Sequence, residues 1–209
     1  MKTACIRTAV ITLELRDDMK EPVLFINACV RKGSRTGRLA ARLLKRINQP
    51  FEEVRLDEVK FPVVNEAFIE MRDRLIAEQN FSHSVFAQAR RFAEAETVVI
   101  AAPYWDLSFP ASLKQYLEQI NVVGISFRYT EDGIPVGLCR ANKLFYITTA
   151  GGSYVPEDFG FGYVKALAQN FYGISDVRLI SAAGLDLVGA NTEAILQSAE
   201  QSIAEMDLN

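Results

Sequence analysis

The chain has 209 residues, 49% hydrophobic and 23% charged, with a net charge of −3. That size and balance describe one globular domain and exclude a disordered or fibrous chain, and the mild acidity argues against a nucleic-acid-coating surface. Three cysteines, Cys5, Cys29 and Cys139, make no C-x-x-C pair, so neither a disulfide framework nor a zinc site is expected and a reducing cytoplasm fits.

No apolar run reaches the roughly 18 residues of a membrane span. Residues 1–15 begin with Lys2 and an apolar stretch, but Arg7 interrupts it, Glu14 and Arg16 close it, and no small-residue cleavage site follows. Met19 stands four residues before the first strong strand. Residues 1–21 therefore read as an N-terminal extension that the fold does not need, or, over 9–15, as an extra edge strand. Residues 22–209 carry the domain.

Residues 23–27, VLFIN, form a continuous apolar run typical of a strand buried on both faces. A polar loop follows, and Leu39, Leu43 and Ile47 then recur at helical spacing beside Arg38, Arg42 and Arg46, a basic face read as solvated. Residues 51–56 alternate as a second strand, and residues 65–80 and 81–96 read as helices. Residues 97–101, TVVIA, are the clearest buried strand. Residues 110–122 form a helix opened by Pro110, and residues 127–138 hold a tight turn at Asp132-Gly133. Strands over 143–148 and 177–181 and helices over 160–172 and 191–206 complete the chain, with Asn191 or Thr192 as a cap. There is no linker, repeat or composition break.

Strands alternating with helices imply a parallel, doubly wound sheet. Five such strands suit the α/β flavodoxin-like three-layer sandwich with a five-stranded parallel sheet, order 2-1-3-4-5. Ligands of such sheets bind beyond the carboxyl ends of the strands, at the switch between strands 1 and 3. Three loops converge there, over 28–36, 102–109 and 148–154.

The first loop offers the hydroxyls of Ser34 and Thr36 and several N–H groups at a helix start, which suits one phosphate. It matches neither G-x-x-x-x-G-K-[ST] nor G-x-G-x-x-G, which disfavours a triphosphate or a Rossmann dinucleotide. A plain polar cap explains the same residues. The second loop, APYWDLSFP, gathers Tyr104, Trp105, Leu107 and Phe109, apolar surface that a planar cofactor, a partner subunit or the core must cover. The third, TTAGGSY, has two glycines that admit a ligand close to the backbone or make a flexible turn. Cys29 beside the first loop reads as a packing residue or as a thiol of lowered pKa, and His83 as a solvated or capping residue.

The segments NACVRKGSRT, APYWDLSFPASLKQYLE, FRYTEDGIPVGL and ITTAGG resemble the flavodoxin-like-fold NAD(P)H-dependent oxidoreductases, the group of FMN-dependent NADH-azoreductases and NAD(P)H:quinone reductases. The resemblance implies FMN as cofactor and NADH or NADPH as donor. It implies ping-pong hydride transfer to quinone, azo or nitroaromatic acceptors, and a homodimer without nucleic-acid or membrane partners. Ser34, Arg35 and Thr36 match the stretch that holds the FMN phosphate. Tyr104, Trp105, Asp106 and Leu107 match the ribityl and ring contacts, and Thr149, Ala150, Gly151 and Gly152 the loop along the pyrimidine edge. Ala28 and Ala150 stand where other members carry serine and arginine. Tyr154, Phe159 and Phe161 are candidates for a substrate wall. No catalytic acid, base or metal is expected, because the flavin carries the chemistry. The competing readings are a flavodoxin-like electron carrier and an interaction protein that has lost the flavin.

Overall fold

The computed structural model describes residues 22–208; the extension or edge strand expected over residues 1–21 lies outside them. Five strands make one parallel sheet: β1 (Val23–Asn27), β2 (Phe51–Arg55), β3 (Thr97–Ala101), β6 (Lys143–Thr149) and β7 (Asp176–Ala182). Between β3 and β6 lie two short strands, β4 (Phe127–Tyr129) and β5 (Pro135–Gly137), paired as an antiparallel hairpin. The sheet order is β2-β1-β3-β6-β7, the expected order once the hairpin is counted. Register runs Val23 beside Phe51, Leu24 beside Val98, Val98 beside Leu144 and Leu144 beside Val177.

Alternation along these strands divides the core in two. Leu24, Ile26, Val98, Ile100, Leu144 and Tyr146 face one layer, which is built by α2 (Glu66–Ala77), α3 (Ala87–Glu94), α4 (Ala111–Ile120) and α5 (Phe161–Leu167). Val23, Phe25, Val99, Ala101, Phe145 and Ile147 face the other, built by α1 (Arg35–Ile47) and α6 (Thr192–Glu205). Central strands β1 and β3 are buried on both faces because helices cover both, which is why they read as unbroken apolar runs.

Helix ends follow local chemistry. The Oγ of Ser34 accepts the N–H of Gly37 at 3.1 Å to start α1, and Asn48 ends it in the left-handed region, φ 54°. Asn65 caps α2 through the N–H of Phe68, and Asn191 caps α6 through the N–H of Ala194.

Three expectations are corrected. The helix expected over 81–96 is a 3₁₀ turn, Ser84–Phe86, followed by α3. His83 Nδ1 accepts the N–H of Val85 at 3.2 Å, which favours the tighter start and gives His83 its capping role. The helix expected over 160–172 widens into a π turn at Ala168–Tyr172. There the Tyr172 ring is buried against Phe92, and its hydroxyl donates to Asn121 Oδ1 at 2.7 Å. Arg38, expected on a solvated face, instead binds α1 to α6, donating to Glu193 and Glu200 at 2.6 Å each. Among the described residues no helix is long and apolar enough to cross a membrane.

Candidate functional site at the carboxyl edge of the sheet

The first loop leaves β1 under tight control. Asn27 Oδ1 accepts the N–H of Cys29 at 2.9 Å, while the Asn27 amide donates to Glu53 at 2.7 Å. The chain then reaches α1, whose first N–H groups, on Arg35 and Thr36, find no acceptor among the described residues. Free donors at the positive end of a thirteen-residue helix form an anion seat. The Thr36 side chain does not open into that seat. It is fully buried, and its hydroxyl shares a 2.7 Å hydrogen bond with that of Thr149, joining the first loop to the third. Arg35 does reach the seat, and there its guanidinium donates to Asp186 Oδ1 at 2.7 Å.

The second loop is a strained two-residue hairpin. The N–H of Trp105 donates to the carbonyl of Ser108 at 3.1 Å, and that of Ser108 returns to Trp105 at 2.8 Å. Between them Asp106 and Leu107 both take positive φ, 49° and 65°, the conformation of a type I′ turn. Glycine or asparagine normally fills these positions; a leucine there costs about 1–2 kcal/mol. Such strain persists only when neighbours enforce it. Here Tyr104 N–H donates to the carbonyl of Thr149 at 3.0 Å, and Ser108 Oγ to that of Phe159 at 2.8 Å. Trp105 and Leu107 are held exposed as a result.

The third loop extends β6 alongside the segment after β7. Ala150 N–H donates to Ala182, Gly184 N–H to Gly152, and Asp186 N–H to Gly151. A Cβ on Gly151 would stand 2.3 Å from Asp186 Oδ2, so glycine is what admits the carboxylate here. The N–H groups of Gly151 and Gly152 have no acceptor among the described residues.

The three loops enclose a cleft of about 330 Å³. Ser34, Arg35, Thr36, Tyr104, Trp105, Thr149, Ala150 and Gly151 all line it, so the structure gathers most of the expected cofactor residues in one place. Asp106, Leu107 and Gly152 stand exposed beside it. The substrate candidates separate: Tyr154 and Phe159 are exposed, whereas Phe161 is a core residue whose ring lies 6.0 Å from that of Tyr146. Cys29 lines the cleft, but burial pushes its thiol pKa up, the reverse of an activated thiolate. Asp186 was not anticipated. It lies 151 residues from Arg35, and only its place just beyond the carboxyl end of β7 could have drawn attention to it. Tyr146, hidden in an apolar strand pattern, was missed as well, and Thr148, at the head of the third loop, was given no role of its own.

A doubly wound sheet with unused backbone donors at its switch point defines the class: an α/β protein whose strand-end loops frame one cleft. The chain belongs to the family described as having the flavodoxin-like fold, whose profile matches residues 21–206. It is 42% identical over 134 residues to an FMN-dependent NADH:quinone oxidoreductase of Clostridium beijerinckii, a match covering 63% of this chain and 67% of that protein. It is 44% identical over 128 residues to FMN-dependent NADH:quinone oxidoreductase 2 of Clostridium acetobutylicum, covering 59% and 63%. These matches span about two thirds of the relatives' lengths. Among solved structures, azoreductase from Bacillus anthracis superposes with a TM-score of 0.77 at 24% identity, over 90% of this chain and 98% of that one. An FMN-dependent NADH-azoreductase of the same species, in complex with FMN, gives 0.74 at 24%, over 88% and 96%.

Proposed function

We propose that the protein is an FMN-dependent NADH oxidoreductase that reduces quinones and, by the same chemistry, azo and nitroaromatic compounds. One observation carries the reading. Residues with unused backbone donors, Arg35 and Thr36 on one side and Gly151 on another with Gly152 beside it, line one cleft whose third side is a strained turn displaying Trp105. The relatives named FMN-dependent NADH:quinone oxidoreductases support the choice of cofactor, donor and acceptor.

The donor set fits the cofactor. Ser34 Oγ accepts a hydrogen bond from the Gly37 N–H and lies within hydrogen-bond reach of the Cys29 thiol; with the Arg35 and Thr36 N–H groups and the Arg35 guanidinium it matches a phosphate. The Tyr104–Leu107 turn presents an aromatic and aliphatic surface for a flat ring. Gly151 and Gly152 offer N–H groups to a ring edge that becomes negative on reduction. Bound FMN would supply the relay, taking up two electrons as a hydride and passing them on. The chain's own residues then orient the ring and its partners, and none of them needs to be a nucleophile. Donor and acceptor would occupy the cleft in turn, a ping-pong order, with the balance NADH + H⁺ + quinone giving NAD⁺ + hydroquinone. The exposed apolar side chains of Trp105, Leu107, Tyr154 and Phe159 suit burial in a homodimer.

The test is a visible spectrum of the protein reconstituted with FMN and desalted, taken before and after anaerobic NADH. A retained flavin band that NADH bleaches is expected. Loss of the flavin on desalting overturns the cofactor assignment, and a band that NADH leaves unchanged overturns the reductase.

A further inference from the structure

Beside the cleft, and sharing Tyr104 and Ala150 with it, lies a second cavity of about 230 Å³. It sits between the ends of β6 and β7 and the start of α5, with Val155, Pro156, Phe161 and Leu179 among its walls. Tyr104, Tyr146 and Thr148 also line it, and their hydroxyl oxygens are buried without a hydrogen-bond partner among the described residues. Tyr146 is 1% exposed and Thr148 4%. The two phenols meet around Gly160, where a Cβ would stand 3.7 Å from the Tyr104 ring and 3.9 Å from the Tyr146 oxygen.

A buried hydroxyl without a partner is unfavourable by about 1–3 kcal/mol, and native structures hold few of them. Three around one cavity mean that something completes them. Burial raises the pKa of both Tyr104 and Tyr146, so at neutral pH each keeps its proton and is a donor. The missing partner therefore carries hydrogen-bond acceptors. Water has them, and the volume equals that of about eight waters. Walls that combine Val155, Pro156, Phe161 and Leu179 with a few polar groups, Ser153, Glu157 and Ser181 besides the three hydroxyls, also suit an organic ring.

We infer that this cavity is an acceptor subsite, in which a ring carbonyl oxygen of a quinone receives hydrogen bonds from Tyr146 and Tyr104. The inference rests on the quinone reading above and deepens it. It separates quinones from azo compounds, because only a quinone places strong carbonyl acceptors at the ring edge. It also assigns a role to Tyr146, which lies outside the three loops.

The test measures binding by titration calorimetry, with 1,4-naphthoquinone as the probe and no NADH present. FMN-loaded and FMN-free protein are both used, for wild type, Tyr146→Phe and Thr148→Val. Each variant removes an unpartnered hydroxyl and little else, so melting temperature is expected to hold or rise. Naphthoquinone affinity is expected to fall about fivefold in Tyr146→Phe, the loss of one hydrogen bond, and less in Thr148→Val. FMN affinity, read from flavin fluorescence, is expected to stay unchanged in both. Equal naphthoquinone affinity in wild type and Tyr146→Phe overturns the subsite, as does no binding to either form. A loss of FMN affinity in place of quinone affinity assigns the hydroxyls to the cofactor and overturns it too. If the protein holds no FMN at all, the function proposed above fails, and the FMN-free titration still decides the subsite.

Discussion

Arg35 and Asp186 form an ion pair across the anion seat, and a phosphate entering that seat must compete with the carboxylate. Replacing Asp186 by Asn keeps the side chain's shape and removes its charge. Two effects add. Arg35 is 39% exposed and Asp186 63%, so the pair has surface value, about 0.2–1 kcal/mol, which a phosphate no longer has to break. A phosphate with about −1.5 to −2 charges, held roughly 6 Å from the carboxylate in a water-like dielectric, is repelled by ~1 kcal/mol. Together they predict FMN binding stronger by about 1–2 kcal/mol in Asp186→Asn, roughly five- to thirtyfold in Kd.

The assay is quenching of flavin fluorescence on titration into FMN-free protein, at about 0.1 M and 1 M salt. The gain is expected to shrink at high salt, where the screening length falls from ~10 Å to ~3 Å. Arg35→Ala is expected to weaken binding more in the Asp186→Asn background than in wild type, because only there is the guanidinium uncommitted. Weaker FMN binding in Asp186→Asn would refute the reasoning, since the carboxylate would then be positioning Arg35 for the phosphate and not competing with it.

Thr36→Val leaves the buried Thr149 hydroxyl without its partner and is expected to lower stability by about 1–3 kcal/mol in urea titration. Adding Thr149→Val should recover most of that loss, because both hydroxyls are then gone. Leu107→Asn places a residue that tolerates φ 65° in the turn and is expected to raise stability by about 0.5–1 kcal/mol, with weaker retention of FMN on desalting. Cys29, buried and with its thiol pKa raised, is expected to alkylate far more slowly than a free thiol at pH 8, read by peptide mass mapping. Since a raised pKa lowers the thiolate fraction at a given pH, the rate should stay below that of a free thiol and keep rising with pH beyond the range where a free thiol levels off. Rapid modification at pH 7 would show an activated thiol.

The sequence made the central sheet legible because β1, β3 and β6 are buried on both faces, and nothing but an apolar run satisfies that environment. The loop positions followed from topology, since parallel strands put their carboxyl ends on one side. What escaped depended on contacts distant in sequence. Thr36 reads as a phosphate ligand from its place beside Ser34, but its hydroxyl is spent on Thr149, 113 residues away. Arg38 reads as solvated until α6 brings Glu193 and Glu200 against it. The π turn at Ala168–Tyr172 has no local signature; it follows from where the Tyr172 ring must sit to reach Phe92 and Asn121.

The same ties explain how an α/β domain keeps a strained turn at its mouth. Local sequence does not favour left-handed Asp106 and Leu107, and an isolated peptide would relax. The turn is instead clamped at both ends: Tyr104 is bonded to the carbonyl of Thr149, and Ser108 to that of Phe159. Thr149 is in turn fixed by Thr36, and Gly151 and Gly152 by the segment after β7. A change in any one loop is therefore felt in the other two. Hence Thr36→Val, which touches neither Trp105 nor the Gly151 N–H, is expected to loosen both and to weaken FMN retention beyond its effect on stability. Unaltered FMN affinity in that variant would show that the loops hold their positions independently.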